Sequence, residues 1–364
     1  MVPIVNSILD TDMSKILLQN AVLNTYPDAM ATYCLSKPIL NKYIPDIECQ
    51  ISFLSEVKAT PDEMKFLSNI YPALSDAYLV YLKNFTFSNR NIIITQIDSE
   101  FSNITVSGRW ADVCMIETPL LSIINEVILS ERWGSSWGYS ILSDMGYIQG
   151  AMDVINRNGI SFIDNLTRRR YTGFLQEFFI RLAKTSCSKE CFLGTANPFY
   201  SKKIGVALTG GLSREWELAH NVLSEHSAVA IDAFGIWKQS YLNSTIISPV
   251  EDVSKAISMC SSLDIGGFYY RGTSPIDYIN ELIEYSDIYN IETSDKVIVF
   301  SDKITLNDIL DVKEHIDSLP AGKRPLIKFQ MGLNLLKEDI TSLVDRSLEL
   351  VSINGMSINK VEEI

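Results

Sequence analysis

The sequence predicts an α/β fold in which the strands of one buried sheet alternate with helices. Six short apolar runs have the length of buried strands, and each is closed by turn residues. Most of these runs are followed by a stretch with helical spacing, the order expected for a parallel sheet covered by helices. The predicted strands are residues 192–193, 204–208, 229–231, 268–270, 297–300 and 327–329. We therefore expect them to be neighbours in one barrel-like sheet.

The composition is that of an acidic globular protein. Of 364 residues, 46% are apolar and 21% are charged, and 31 basic against 44 acidic residues give a formal net charge of −13. A surface of this sign repels phosphate backbones, so we expect neither nucleic acid nor an anionic membrane as a partner.

Cysteine and histidine usage predicts reduced thiols and no metal centre. The six cysteines are scattered, and no two cysteine pairs have the spacing of a zinc site. The chain has only three histidines that could serve as ligands instead. The start of the chain lacks a basic segment followed by a long apolar one, and no eighteen apolar residues run together. We therefore expect a cytoplasmic protein without a membrane span, and we leave the nucleus open as a second compartment.

The first part of the chain is predicted to combine capped helices with an antiparallel sheet. Asp10-Thr11-Asp12 precede a helix that stops at Tyr26-Pro27, and Lys15 in its first turn is expected to face solvent. Thr60 and Pro61 begin a second helix, which breaks at Tyr71-Pro72 and is followed by a third, short one. The predicted strands are residues 29–33, 91–95, 104–107 and 108–116. An apolar helix then runs from residue 117 to about residue 129.

Helices also separate the predicted strands of the second part. Residues 146–158 form an amphipathic pattern that ends at Gly159, and Thr305 is placed to cap a helix over residues 306–318. Residues 276–285 are a further predicted helix. Residues 348–353 are strand-like, and Asn354-Gly355 is a typical hairpin turn toward residues 356–360.

Three polar segments stand at predicted strand ends, where ligands bind in α/β proteins. They are Gly194-Thr195-Ala196-Asn197, the turn Thr209-Gly210-Gly211-Leu212-Ser213-Arg214-Glu215-Trp216, and Arg168-Arg169-Arg170. Ser213 is a plausible cap for the helix that carries Glu215 and Trp216. Three adjacent arginines are either a solvated basic turn or an anion site, and the residue types alone leave both open.

With these motifs the chain resembles the nicotinate phosphoribosyltransferases, especially the fungal form, from Ser7 to Lys360. That family has a Gly-Thr-Ser-Asn loop, then a strand, then a Gly-Thr-x-Ala-His-Glu-Trp turn. The resemblance implies a type II phosphoribosyltransferase-like fold, an irregular and incomplete α/β barrel with a β-rich N-terminal α+β domain. It places residues 1–130 in the N-terminal domain, with residues 340–364 packing on it, and residues 131–340 in the barrel-like domain.

The resemblance also implies a chemistry, which belongs to NAD salvage. The family joins nicotinate to phosphoribosyl pyrophosphate, and ATP drives the reaction by phosphorylating the histidine of the second turn. The aligned residue here is Arg214, a permanent cation that cannot be phosphorylated as a neutral imidazole is. The substrate-binding residues that the resemblance implies are Thr167, Arg168, Arg169, Arg170, Asn197, Asp232, Asp302 and Gly332.

Other positions depart from the family pattern together. Ser14 and Asn165 replace the two aromatic residues that sandwich the nicotinate ring, and Leu166 replaces a glycine beside it. The carboxylates of the phosphoribose loop, which hold ribose and magnesium, are replaced by residues such as Arg271 and Ser274. The glycine and threonine of the phosphate turn are replaced by Gln330 and Leu333.

Three hypotheses follow. The first is a catalytically silent relative that acts as a binding or regulatory partner, for example of an active paralogue. The second is an active phosphoribosyltransferase with a rebuilt pocket and no ATP coupling, in which Phe268, Tyr269 or Tyr270 supplies a new stacking face. Only this second hypothesis needs a cofactor, Mg²⁺ with phosphoribosyl pyrophosphate. The third is a sensor that binds a small anion or nucleotide through residues 168–170. A homo-oligomer is compatible with all three.

Overall fold

The structure is a computed structural model that describes residues 2–133, 137–223, 229–241, 246–248, 253–254, 257, 265–270, 272, 274–332 and 344–358. Within these ranges the chain forms two six-stranded sheets. The first sheet is antiparallel and the second is parallel. The predicted α/β class with a β-rich N-terminal part is confirmed.

The antiparallel sheet combines residues that are far apart in the sequence. Its strands are β1 (Met30–Leu35), β2 (Ile39–Leu40), β3 (Ile92–Gln96), β4 (Phe101–Arg109), β11 (Leu348–Ile353) and β12 (Met356–Ser357). The order is β12-β11-β1-β4-β2, and β3 also pairs with β4. The Met30 amide donates to Asn354 Oδ1 at 2.8 Å across 324 positions of the sequence. The hairpin between β11 and β12 turns at Asn354 and Gly355, which both have positive φ as the sequence predicts.

Six helices accompany this sheet. They are α1 (Met13–Thr25), α2 (Ile44–Leu54), α3 (Pro61–Ile70), α4 (Asp76–Asn84), α5 (Trp110–Val113) and α6 (Glu117–Trp133). The predicted caps are present, because Asp12 accepts from the Ser14 amide and Thr60 forms a reciprocal capping box with Glu63. Helix α6 continues past residue 130, the predicted end of the N-terminal domain. The domain boundaries stay a prediction.

One helical stretch in the described part of the chain, Trp110–Glu131, is long and apolar enough to cross a membrane, with a mean hydropathy of 1.5. However, 89% of this window is buried inside the protein. Its apolar side chains therefore pack against other parts of the same chain.

The parallel sheet supplies the second half of the fold. Its strands are β5 (Phe162–Asp164), β6 (Phe192–Thr195), β7 (Ile246–Ser248), β8 (Ile265–Tyr270), β9 (Val297–Phe300) and β10 (Leu326–Met331), in the order β6-β5-β10-β9-β8-β7. Register places Phe300 level with Phe329, and their buried rings stack at 5.2 Å. The helices are α7 (Trp137–Arg157), α8 (Gly173–Ser186), α9 (Pro198–Ile204), α10 (Arg214–Leu223), α11 (Val229–Ser240), α12 (Pro275–Tyr289) and α13 (Leu306–Ser318). Thr305 caps α13 through Asp308, as predicted.

Four of the six strands predicted for the barrel-like sheet are found there, namely residues 192–193, 268–270, 297–300 and 327–329. The other two predictions are wrong. Residues 229–231 begin helix α11, in which Ala233, Phe234 and Trp237 are buried at helical spacing. Residues 204–208 contain the end of α9 and its left-handed cap Gly205, so that only Leu208 reaches the sheet, through one bridge to Thr195.

A third predicted strand, residues 108–116, is also replaced by helix. The chain leaves β4 at Arg109 and continues as α5, where Trp110, Ala111 and Val113 are buried. The run Trp110-Ala111-Asp112-Val113 is short enough to fit either a strand or a helix. The strands β5 and β7 were not predicted as members of the parallel sheet.

Candidate functional site

The candidate site lies at the carboxyl ends of β5, β6, β8 and β10, around the short 3-10 helix Thr167–Arg169. This helix forms because Asp164 Oδ1 accepts from the Leu166 amide at 3.1 Å, which turns the chain directly after β5. Helix α6 then fixes the turn from behind. Ser122 Oγ donates to the Thr167 carbonyl at 2.7 Å, and Asn125 Nδ2 donates to the Arg168 carbonyl at 2.9 Å. The three arginines are thus held on a rigid support.

Arg170 is the deepest of the three arginines. Its side chain is 1% exposed and binds Asp10 through two parallel hydrogen bonds, Nη1 to Oδ1 at 2.7 Å and Nη2 to Oδ2 at 3.0 Å. Its Nε donates to Glu126 Oε1 at 2.7 Å. Both partners are carboxylates of the same chain, so the charge of Arg170 is compensated in a place that solvent and ligands do not reach.

Arg168 and Arg169 lie nearer the surface and are also paired. Arg168 donates through Nη2 to Asp12 Oδ2 at 3.0 Å and through Nη1 to Glu117 Oε1 at 3.3 Å. Arg169 Nη1 donates to Asp302 Oδ1 at 2.7 Å. The side chains of Arg168 and Arg169 are 32% and 18% exposed. Each cation at the predicted anion site is therefore held by carboxylates of its own chain.

Lys15 extends this charged layer and corrects the expectation that it faces solvent. Its side chain is 2% exposed, and Nζ contacts Glu117 and, at 2.6 Å, Glu215 Oε2. Burial alone would lower the pKa of Lys15, but these two carboxylates raise it above its usual value. The Tyr33 hydroxyl donates to Glu215 Oε1 at 3.1 Å, which adds a further bond to the pair. Glu117, at the start of the predicted apolar helix, therefore anchors cations as well.

A set of hydrogen bonds from uncharged side chains lies beneath the arginine turn. Asp164 Oδ2 accepts from Thr195 Oγ1 at 2.5 Å and from Gln176 Nε2 at 3.1 Å. Asn197 Nδ2 donates to Asp10 Oδ1 at 2.8 Å and to Thr167 Oγ1 at 3.0 Å. Asn197 also caps α9 through its side-chain oxygen. The two loops after β5 and β6 are thereby joined into one polar scaffold.

Two carboxyls of this region have pKa values near neutrality. Burial raises the pKa of Asp164 to about 6, although its hydrogen-bond donors act in the opposite direction. Burial likewise raises the pKa of Glu126 to about 7, against the attraction of Arg170. Both groups therefore hold a proton more strongly than an exposed carboxyl does.

The remaining strand ends are joined by side chains of this chain as well. Asn165 Nδ2 donates to Gln330 Oε1 at 3.0 Å, and the Tyr269 hydroxyl donates to the same oxygen. Gly332 is packed against Asp302, because a Cβ at this position would lie 2.2 Å from Asp302 Oδ2. The described residues contain no group of three His, Cys, Asp or Glu side chains that could hold a metal ion.

The structure brings together most of the residues predicted for the site. Thr167, the three arginines, Asn197, Asp302 and Gly332 lie around one edge of the parallel sheet. Arg214 begins α10 directly before Glu215, which places it beside the Lys15 pair. Asp232 lies in α11 rather than at a strand end, and its side chain is outside the described residues. The binding roles of all these residues stay predictions.

Of the carboxylates that hold the arginines, the sequence predicts Asp302 as a site residue but not the others. Asp10 and Asp12 were interpreted as helix-capping residues, and Glu126 was not singled out. Their partners are 44 to 160 positions away in the sequence. No spacing rule links residues at such distances, and the one available signal is that apolar helices rarely contain buried acidic residues without a cation.

Comparisons with known proteins identify the family. The family model for the N-terminal domain of nicotinate phosphoribosyltransferase matches residues 9–125, and the model for the nicotinate phosphoribosyltransferase family matches residues 160–361. The chain is 23% identical to a nicotinate phosphoribosyltransferase of Vibrio parahaemolyticus over 99% of its own length and 87% of the relative. It is 26% identical to one of Citrobacter koseri over 99% of its own length and 91% of the relative.

Solved structures agree on the fold. A Saccharomyces cerevisiae protein described as a nicotinate phosphoribosyltransferase superposes with a TM-score of 0.86 at 22% identity, covering 98% of this chain and 93% of that one. The enzyme of Porphyromonas gingivalis gives 0.84 at 19% identity, covering 96% and 90%. The predicted type II phosphoribosyltransferase fold is thus confirmed, and the chain belongs to the nicotinate phosphoribosyltransferase family.

Proposed function

We propose that this chain is a catalytically silent member of its family, which serves NAD salvage as a binding or regulatory relative. The observation that carries the proposal is the pairing of Arg168, Arg169 and Arg170 with Asp12, Glu117, Asp302, Asp10 and Glu126. A phosphorylated substrate needs cations that are available to it. Here the cations of the arginine turn already have carboxylate partners.

The energy required to release one of these cations is large. For an anion to bind at Arg168, Asp12 or Glu117 has to give up its partner while remaining in a buried position. Removing one partner of a buried pair costs about 3–5 kcal/mol. That is equivalent to a factor of about 100 to 4,000 in affinity, since about 1.4 kcal/mol is tenfold. An aromatic ring stacked on a ligand contributes about 1–3 kcal/mol to binding. Ser14 and Asn165 have no aromatic ring, so stacking at these positions does not offset the cost of releasing the cation.

The chain also lacks the residue that would couple its function to ATP. Arg214 stands where the family has its phosphorylated histidine, and a guanidinium stays protonated at physiological pH. The nearest histidine on the same helix is His220, which is buried and has its Nδ1 2.6 Å from the Tyr26 hydroxyl. We therefore expect neither ATP hydrolysis nor phosphorylation at the turn before α10.

The described residues at this edge of the sheet do not fit a magnesium ion. Asp302, the acidic residue that the resemblance retains there, is held by Arg169 and packed against Gly332. We accordingly propose no metal cofactor. We propose instead a protein partner, either an active paralogue in the cytoplasm or a second copy of this chain.

A second function is favoured by the position of Tyr269. Phe268 is fully buried, and Tyr270 packs against Tyr278 with ring centroids 4.5 Å apart. Tyr269 alone of the three reaches the mouth of the site, where its hydroxyl contacts Gln330. An active phosphoribosyltransferase with a rebuilt pocket would use this ring as its stacking face.

The first test measures the reaction directly. The purified chain is incubated with nicotinate and phosphoribosyl pyrophosphate, with and without ATP, and nicotinate mononucleotide is quantified. The Vibrio parahaemolyticus relative serves as the positive control. We expect no product, and no acid-sensitive label from γ-labelled ATP. Product formation without ATP would support the second function, whereas labelling at a histidine would overturn the silent assignment.

A further inference from the structure

Asn165, Tyr269 and Gln330 form one hydrogen-bonded cluster across the carboxyl ends of three strands, which we call the Gln330 cluster. Asn165 follows β5, Gln330 belongs to β10 and Tyr269 belongs to β8. Because β9 lies between β10 and β8, the Tyr269 side chain reaches across β9 to Gln330. The cluster therefore bridges the sheet at the edge where ligands bind in parallel α/β folds.

The position of Gln330 within the cluster is fixed from two sides. Its Oε1 accepts from Asn165 Nδ2 at 3.0 Å and from the Tyr269 hydroxyl. A carbonyl oxygen has two lone pairs, so these two donors occupy both of its acceptor sites. The backbone supports this arrangement, because the Asn165 amide donates to the Met331 carbonyl at 2.8 Å.

Asn165 Nδ2 and the Tyr269 hydroxyl together form a position that can bind an anionic oxygen. A hydroxyl and an amide N–H converge on one point, which is how protein sites bind phosphate oxygens. In this chain the Gln330 oxygen occupies that point. The Arg169 side chain and its partner Asp302 lie at the same edge of the sheet, next to Gly332.

We propose that Gln330 is a specificity-determining residue that occupies an oxyanion position with its own side-chain oxygen and so excludes phosphate-bearing ligands. Asn165 and Tyr269 are its positioning residues. This inference rests on the proposed function and names the side chain that closes the site. Shortening Gln330 removes the oxygen that accepts these two bonds, and an external oxyanion can then take its position.

Calorimetric titration with inorganic phosphate and with phosphoribosyl pyrophosphate tests the inference. We expect Gln330→Ala to bind phosphate at least tenfold more tightly than the original chain. Adding Tyr269→Phe to Gln330→Ala removes one of the two converging donors and should abolish most of the gain. Gln330→Glu keeps an acceptor of the same shape and should show no gain. The matched control is Gln96→Ala on the exposed strand β3, for which we expect no change.

Two results would overturn the inference. One is a folded Gln330→Ala protein, with an unchanged thermal midpoint, that binds phosphate no more tightly than the original chain. The other is a gain that survives Tyr269→Phe and Asn165→Ala. Gln330→Ser replaces Gln330→Ala if the latter does not fold. The proposed function is judged separately, by nicotinate mononucleotide formation in the original chain, so either idea can fail alone.

Discussion

The polar residues around the arginine turn form two layers that differ in burial and in their relation to the family. The inner layer consists of Asp10, Glu126, Asp164, Thr167, Arg170 and Asn197. The mouth consists of Asn165, Arg168, Arg169, Tyr269, Asp302 and Gln330. The side chains of Arg170 and Asp10 in the inner layer are 1% and 5% exposed. In the mouth, Arg168 is 32% exposed.

The two layers differ in how their residues relate to the family pattern. The inner layer includes Thr167, Arg170 and Asn197, which the resemblance assigns to the family pattern, and each makes contacts that hold two loops together. The mouth contains the replacements Asn165, Tyr269 and Gln330. A residue that matches a family motif can therefore have an architectural role in this chain, which is compatible with the proposed loss of the chemistry at the neighbouring surface.

We expect the largest loss of stability from a substitution of Arg170 in the inner layer. Arg170→Met leaves Asp10 and Glu126 buried without their cation, and we expect the free energy of unfolding to fall by about 3–5 kcal/mol. Urea unfolding monitored by circular dichroism measures this change. The control Arg181→Met breaks an exposed pair with Glu177 and should cost about 0–1 kcal/mol. Equal losses in the two variants would contradict the structural role of the inner layer.

The next effect is a pH dependence of stability that originates in the inner layer. The pKa of Glu126 is raised from 4.5 to about 7 and that of Asp164 from 3.8 to about 6. The native state thus keeps protons that the unfolded chain releases, so the free energy of unfolding decreases as pH rises from about 4 to 7. The Glu126 shift corresponds to roughly 3 kcal/mol. Unfolding midpoints at several pH values should show this slope, and Glu126→Gln should remove the part that lies above pH 6.

The smallest effect is expected at the mouth. Arg169→Met removes one charge-assisted bond to Asp302 and should cost about 1–3 kcal/mol, less than Arg170→Met because Arg169 is partly exposed. Any weak phosphate binding of the original chain should decrease in Arg168→Met and in Arg169→Met. Calorimetry at millimolar phosphate measures this decrease. If both variants keep the original affinity, the arginine turn is not an anion site.

The sequence predicted the helices whose ends carry capping residues. Helix α13 lies between Thr305 and residue 318 as predicted, because a capping box is readable from four adjacent residues. The run 229–231 was misassigned because a short apolar stretch fits either a strand or a helix. Its continuation through Ala233, Phe234 and Trp237 shows the helical period.

The sequence predicted the cations of the site and Asp302, but not the other carboxylates or any of the pairings. A run of three arginines is visible as a motif, whereas the partners Asp10, Asp12, Glu117 and Asp302 lie in three other segments. Their pairing depends on the packing of α1, α6 and the strand ends around one turn. Such tertiary pairing leaves no periodic or spacing signal in a single sequence.

The position of β11 beside β1 has a consequence for synthesis on the ribosome. Strand β1 lies between β4 and β11, and Met30 and Asn354 bond across 324 positions. At about 5–20 residues per second, β1 waits tens of seconds for that neighbour. During this time its backbone N–H and C=O groups on one side have no strand partner, and such an edge can pair with other chains. The nascent protein therefore needs protection of this edge until its last strands emerge.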